Sequence, residues 1–265
     1  MLNSIQDGAE ALLKESAQIL SKFPSKKYVV IGGWCPFLRN TTNISHPGTL
    51  DVDILFEDSE SGSLSDIIKA FLEAGFLVSA KHKFQLMKKL VVRDQGIIYN
   101  VDLLHPDMTQ ANVPLAELYV DHLELDIPLD KDELRLKQMA SIVLPNSKML
   151  FLSHMNSRES IDGVSFNLVT FTGMFFTKIE SCQKPKRERD SFDIFLAFHN
   201  NDVDLSAMQG HRPDTFQYRI EKSIDNFRNF LNRDSEVFNR NVRMFCANVD
   251  GIIGRTPADF IISKL

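Results

Sequence analysis

The most constraining feature of this chain is a pair of acids inside a run that otherwise reads as a buried strand, Leu50-Asp51-Val52-Asp53-Ile54-Leu55-Phe56. Aspartate disfavours strands, because its short carboxylate prefers caps and turns to ladder positions. Side chains alternate along a strand, so Asp51 and Asp53 share one face while Val52 and Ile54 take the other and enter the core. A second interruption of the same kind is Asn100-Val101-Asp102-Leu103-Leu104. Each strand can bury its apolar side and present its acid on the other. If the two strands are neighbours, three carboxylates share one place on a sheet.

Such a cluster needs something to neutralise it. Two like charges about 4 Å apart repel by roughly 4 kcal/mol at an effective dielectric of about 20. Protonation is one remedy. A hard divalent cation is the better one, because an oxygen-only ligand set suits magnesium. Asp51, Asp53 and Asp102 are therefore the candidate metal ligands. A bound triphosphate would complete the coordination, and two metal ions then serve in-line displacement at phosphorus. Gly32-Gly33 fits beside them, closing a strand at Tyr28–Ile31. A missing side chain lets backbone N–H groups approach phosphate oxygens, and a helix starting near Trp34 would aim its positive end there. Taken alone, an Asp-x-Asp is ordinarily a solvent-facing edge and a Gly-Gly ordinarily a turn. The order strand, Gly-Gly, loop, Asp-x-Asp strand, later Asp strand is what favours the chemical reading.

Around these strands the pattern is mixed. Ile5, Ala9, Leu12, Leu13 and Leu20 fall at helical spacing, as do Leu64, Ile67, Ile68, Phe71 and Leu72, with Gly75 placed as a C-terminal cap. Further strands are expected at 76–78, 90–92 and 97–104. Between Pro106 and Pro145 the signals are a strand-like Leu123-Glu124-Leu125 and a helical pattern near Leu134. Helices are expected at 171–182, 190–199, 215–231 and 237–249. The chain thus divides into a sheet-bearing part, 1–150, and a helical part, 151–265, with the change falling between Pro145 and Gly163.

Composition excludes several classes. The 43% hydrophobic share and 20 Phe supply a real core. A net charge of −5 argues against a general DNA coat. Cys35, Cys182 and Cys246 have neither disulfide nor zinc spacing, which fits a reducing cytoplasm. No apolar run reaches the roughly 20 residues of a membrane span, and residues 1–23 lack the pattern of a signal peptide.

At Ile31-Gly32-Gly33-Trp34, His46-Pro47-Gly48-Thr49-Leu50-Asp51-Val52-Asp53-Ile54-Leu55-Phe56 and Val101-Asp102-Leu103-Leu104-His105-Pro106, the chain resembles the nucleotidyltransferase superfamily of polymerase-β type. More narrowly it is similar to the AbiEii-type nucleotidyltransferases, many of which are toxins of toxin–antitoxin pairs. That family places a Lys on a helix and then a basic-Asp-x-x-Asp segment. Lys178 and Arg189-Asp190-Ser191-Phe192-Asp193-Ile194 match in order. The resemblance covers about residues 25 to 200. It implies an α+β fold, a nucleotidyltransferase-type mixed β-sheet flanked by helices, with a helical C-terminal lobe completing a nucleotide cleft. It also implies magnesium-dependent transfer of a nucleoside monophosphate from a nucleoside triphosphate to an acceptor hydroxyl on RNA, especially tRNA, or on protein. An antitoxin protein would be a partner. In this sequence Trp34 and Cys35 follow the glycines where Ser is common, and the loop to Asp51 is longer than the minimal pattern.

On that basis Asp51, Asp53, Asp102, Lys178 and Asp190 are the candidate catalytic residues, with Asp102 also the base for the acceptor hydroxyl. Gly32, Gly33, Lys178 and Arg189 are the candidate nucleotide contacts. Each has a plainer reading. Lys178 can snorkel at the edge of a core. Asp190 can be an N-cap, with Asp193 the relevant acid instead. The run Lys184-Pro185-Lys186-Arg187-Glu188-Arg189 can be a solvated loop. His46 reads as a loop residue, with a role near the nucleotide as its alternative; Trp34 reads as core rather than a base-stacking platform, and the Phe at 192, 195 and 198 as core. Rival functions are a small-molecule nucleotidyltransferase, of the kind that modifies an aminoglycoside through an acidic stretch such as 121–132, and a nucleotide-binding regulatory module without transfer activity.

Overall fold

The computed structural model describes residues 2–57, 61–79, 82–106, 116–121, 134–139, 141–144, 147–152, 154–208 and 214–265. Of these, 61–63, 116–121, 134–139 and 214–220 are described by backbone alone. The chain forms two compact units. The first contains residues 1–32, 49–151 and 158–168, and the second 33–48, 152–157 and 169–265.

The first unit is built on a mixed sheet. Its strands are β1 (Tyr28–Ile31), β2 (Asp51–Phe56), β3 (Leu77–Val78), β4 (Gln85–Val92), β5 (Gln95–His105), β8 (Ile142–Val143), β9 (Asn156–Ile161) and β10 (Val164–Val169). The spatial order is β3-β4-β5-β2-β1-β10-β9, with β8 paired to β5. β2 runs antiparallel to β1 and parallel to β5, and β1 runs parallel to β10. A separate antiparallel pair joins β6 (Ala116–Asp121) and β7 (Leu134–Met139).

Helices α1 (Ile5–Ser21) and α3 (Ser61–Glu73) pack on each other, and α1 also packs on β2, β4 and β5. α1 begins with a capping box in which Ser4 and Asp7 satisfy each other's backbone N–H groups. Its contact with the sheet is close at Gly8, where an added Cβ would lie 2.1 Å from the Tyr99 hydroxyl. That hydroxyl donates to the Ile5 carbonyl at 2.8 Å. α3 ends in a Schellman turn: the Phe76 N–H returns to the Phe71 carbonyl and the Gly75 N–H to that of Leu72. The Phe71 and Phe76 rings meet edge to face at 4.9 Å, the apolar contact that accompanies this cap.

The second unit is helical. It contains α2 (Trp34–Arg39), α4 (Phe171–Lys178), α5 (Glu188–His199), α6 (Asp214–Arg233), α7 (Ser235–Arg243), α8 (Val249–Ile253) and α9 (Pro257–Ile262). α5 is central, buried at every position from Asp190 to Phe198, and packs on α2, α4, α7 and α9. Rings of Phe175, Phe198, Phe227 and Phe238 interlock on one side, and Phe192, Phe195, Phe245 and Phe260 on another. Trp34 is fully buried against Phe37, as its core reading anticipates.

The mixed sheet flanked by helices is as expected, and so is the helical character of the later chain. Three departures have physical causes. First, the division into 1–150 and 151–265 does not follow the chain's own contacts. Residues 33–48 join the helical unit, and β9 and β10 add strands to the sheet beside β1. Second, the segment at Leu134 is a strand, because its backbone is paired along its length with β6. Third, the expected helix over 171–182 stops at Lys178 and continues only as a 3₁₀ turn at Ser181–Gln183, while 237–249 breaks between α7 and α8. Leu123-Glu124-Leu125 and most of the acidic stretch 121–132 lie outside the described residues. Among the described residues no helix is long and apolar enough to cross a membrane.

Candidate active site

The acids of the first unit are brought together by strand register. β2 and β5 are hydrogen-bonded neighbours, with Asp53 opposite Asp102 and Asp51 opposite Asn100. Paired residues on adjacent strands share a face, so all three acids stand on one side of the sheet. Val52, Ile54, Val101 and Leu103 lie on the other side and are buried. That is the side on which Tyr99 meets α1. The acid face also carries Ile31, opposite Asp53 on β1, and Gln85, opposite Asp102 on β4.

Each acid has its own restraint. The Gln85 side-chain amide donates to Asp102 at 2.9 Å, and that of Asn100 to Asp51 at 3.3 Å. Asp53 is held against Gly32. An added Cβ at Gly32 would sit 2.1 Å from Asp53 Oδ2, and Gly32 has φ +75°, a region that side chains disfavour. The first glycine of the Gly-Gly pair is thus required by the Asp53 carboxylate itself. Gly33 has φ −69° and ψ −13°, ordinary helical values, and is the N-cap of α2 without a side-chain cap.

Burial pushes the Asp102 carboxyl above the usual carboxylate range. The Gln85 hydrogen bond opposes that rise, the Asp51 charge adds to it, and His82 opposes it weakly. This is the electrostatic pressure that a hard cation relieves, and the donors are all oxygen, so the residues present fit magnesium in kind. Among the described residues, however, no group of three or more His, Cys, Asp or Glu side chains is drawn together tightly enough to hold a metal ion. The three acids share a face, but their carboxylates are turned toward Asn100, Gly32 and Gln85 and not onto one point.

The second unit holds a buried charged cluster. Lys178, at the last turn of α4, donates to Asp190 Oδ1 at 2.7 Å and to Asp193 Oδ2 at 2.6 Å. The two acids are three residues apart on α5, one helical face, so a single ammonium reaches both. Asp190 also accepts from the Ser181 hydroxyl at 2.7 Å. It lies in the first turn of α5 and does not serve as its N-cap, a position taken by Arg187. Arg189 Nε lies 4.0 Å from Asp193 Oδ2.

His46 completes the cluster. Its Nε2 lies 3.1 Å from Asp193 Oδ1, and the Gly48 N–H donates to its Nδ1 at 3.1 Å. Because Nδ1 accepts, the ring's own proton sits on Nε2 and is donated to Asp193. The His46 and Asp193 side chains are 1% and 0% exposed. Burial lowers the His46 pKa, with the Asp193 bond opposing and the Arg189 and Lys178 charges assisting. Burial would raise Asp193, but the Lys178 charge and the His46 bond outweigh it and hold the carboxyl below its usual range. Burial alone would neutralise Lys178, and the two carboxylates reverse that, holding it firmly protonated.

Sequence reasoning placed His46 in a loop and gave it no partner. The one available signal was an otherwise unexplained His at a Pro-Gly turn. Both Asp190 and Asp193 contact Lys178. Gln85 and Ser181 carried no signal that separates them from ordinary polar residues.

No protein-family profile matches the chain, and no curated protein matches it by sequence. Solved structures similar to it include two nucleotidyltransferase-like or resistance proteins. One is an antigenic nucleotidyltransferase-like protein from Paracoccidioides brasiliensis, at 13% identity and a TM-score of 0.43, covering 89% of this chain and 94% of that one. The other is the antibiotic-resistance factor ANT(2'')-Ia, at 9% identity and a TM-score of 0.40, covering 86% of this chain and 97% of that one. At such values function has to be read from the side chains themselves.

Proposed function

We propose that this protein is a nucleotidyltransferase that moves a nucleoside monophosphate from a nucleoside triphosphate to an acceptor hydroxyl. The observation that carries the reading is the register of β2 and β5. It sets Asp53 beside Asp102, with Asp51 on the same face, while Val52, Ile54, Val101 and Leu103 of the same strands are buried on the other. Three acids on one sheet face repel one another, and a hard divalent cation is the remedy that an all-oxygen donor set suits.

Asp51, Asp53 and Asp102 would hold magnesium, which when bound supplies positive charge for the triphosphate and the departing pyrophosphate. The chain's own groups do the rest. Gly32 seats the Asp53 carboxylate. Gln85 orients Asp102, the candidate acceptor for the proton of the attacking hydroxyl. A bond forms from the acceptor oxygen to the α-phosphorus, the bond from that phosphorus to pyrophosphate breaks, and the proton goes to Asp102. In the second unit, Lys178 is a cation fixed by Asp190 and Asp193, a group suited to a phosphate, with Arg189 beside it. The resemblance to AbiEii-type enzymes supports RNA or protein as acceptor and a toxin role restrained by an antitoxin.

The test is transfer of label from each α-labelled nucleoside triphosphate, with magnesium, to total RNA and to protein. Label should move with wild type and not with Asp53→Ala. Equal labelling by both proteins would overturn the assignment of the acid face, and label dependent on Asp53 in neither RNA nor protein would overturn the acceptor assignment.

A further inference from the structure

His46 sits at a Pro-Gly turn, yet its side chain is only 1% exposed. The ring stacks on Phe192 at 6.3 Å and meets Phe37 edge-on at 6.1 Å. A residue that only filled this space would be apolar, because an imidazole buries two polar edges and each costs free energy unless it is bonded. Both edges are bonded. Nδ1 accepts from the Gly48 N–H, at a glycine with φ +90°, and Nε2 donates to Asp193 Oδ1. Burial keeps the ring neutral, with the single proton that this arrangement needs.

The two acids of α5 are held alike. Each gives one carboxylate oxygen to Lys178 and the other to a neutral donor, Ser181 for Asp190 and His46 for Asp193. A neutral donor fixes the rotation of a carboxylate without adding charge to the cluster. The consequence falls on Lys178. Its stem is flexible by nature and its ammonium carries three N–H donors. Two of them are taken by the fixed oxygens, and among the described residues the third has no hydrogen-bond acceptor. The Lys178 side chain also keeps 12% of its surface exposed, whereas Asp193 keeps none.

We propose that His46 is a positioning residue: by holding Asp193 it fixes the Lys178 ammonium, whose remaining N–H donates to a phosphate of the nucleoside triphosphate. This assignment rests on the nucleotidyltransferase reading and adds to it the residue that sets the geometry of its phosphate cation. A lysine fixed in advance does not have to be ordered when the phosphate arrives, so the contact is stronger than a free lysine would give.

The test separates the two edges of the ring. In His46→Gln the amide nitrogen reaches the place of Nε2 and still donates to Asp193. In His46→Asn the shorter amide oxygen reaches the place of Nδ1 and serves Gly48 alone. The probe is inorganic triphosphate with magnesium, titrated into the full chain by calorimetry, at a temperature where circular dichroism shows each variant folded. His46→Asn should weaken binding about tenfold, and His46→Gln by less than about threefold. A merely structural role would not be rescued by the one amide and lost with the other. Binding that needs Asp53, shown by its loss in Asp53→Ala, but is unchanged in His46→Asn or weakened equally by both amides, would overturn the assignment alone. No binding by wild type, or binding indifferent to Asp53→Ala, would overturn the nucleotidyltransferase reading and the assignment with it.

Discussion

Gly32→Ala is the sharpest test of the acid face, because two separable penalties meet at one Cβ. The first is conformational. At φ +75° an alanine is held in the left-handed region, at about 1–2 kcal/mol. The second is steric. The new methyl would lie 2.1 Å from Asp53 Oδ2, so the carboxylate has to rotate off its rotamer, at about 0.5–1.5 kcal/mol. Together they predict a loss of about 1.5–3.5 kcal/mol in urea unfolding. Gly75→Ala isolates the first penalty. Gly75 has φ +83° with nothing within 4 Å of an added Cβ, so it should cost only about 1–2 kcal/mol. The second penalty is isolated by a double-mutant cycle. In an Asp53→Ala background the collision partner is gone, and Gly32→Ala should become cheaper by about 0.5–1.5 kcal/mol. The proposed function adds a kinetic consequence: displacement of Asp53 should lower transfer by about a hundredfold. An identical cost of Gly32→Ala in the two backgrounds would refute the claim that this glycine exists to seat Asp53.

Two further outcomes concern the second unit. Lys178→Met leaves Asp190 and the fully buried Asp193 without their cation and should destabilise by about 3–5 kcal/mol, measured by chemical unfolding, with part recovered by Asp193→Asn; a loss below about 1 kcal/mol would show that the cluster is not held by charge. The His46 pKa is lower in the folded chain than its ordinary 6.5, so the unfolded chain takes up the proton first. His46 thus contributes stability in full above pH 6.5 and loses it as pH falls toward its folded value. Asp193 adds a second window, present above 3.8 and lost as pH falls through its lowered folded value. The melting temperature should therefore decline as pH falls below 6.5; His46→Gln should shrink that first decline, leaving the share of the likewise lowered His199, and should keep the more acidic one.

Much of the first unit was legible because its signals are local. The strand at 28–31, the Asp-x-Asp strand, the helix ending at Gly75 and the strand bearing Asp102 follow from alternation, helical spacing and a glycine cap. Leucine-rich spacing located α1 for the same reason. The hairpin of β9 and β10 was not read, although Asp162-Gly163 marks it. Asp162 has φ +48° and Gly163 φ +80°, a turn that suits a two-residue hairpin loop. β9 is mostly polar and has little apolar alternation to count, although β10 alternates through Val164, Phe166 and Leu168. The strand at Leu134 was misread because Leu136 and Met139 fall at helical spacing while Leu134 and Leu136 alternate as in a strand, and pairing with β6 decides between them. Of the candidate residues, those in strands were legible as anomalies: acids where acids are disfavoured. Lys178 and Asp190 came only from a resemblance, because a lysine or an aspartate near a helix end is unremarkable. Their mutual contact, and His46 beneath them, are tertiary facts that no spacing in the sequence records.

The place of β10 beside β1 bears on how the chain acquires its structure during synthesis. Val30 pairs with Leu168, so the second neighbour of β1 is made long after its first. A nascent chain that has emerged only through β8 can pair β1 with β2 on one side, while the other side remains an open edge with unsatisfied amides. Pairings that remote in sequence form slowly, because a long loop must close before they contribute. The sheet that carries Asp53 is therefore completed late, and a fragment ending near residue 150 should be prone to edge-to-edge association, whatever the soundness of its core.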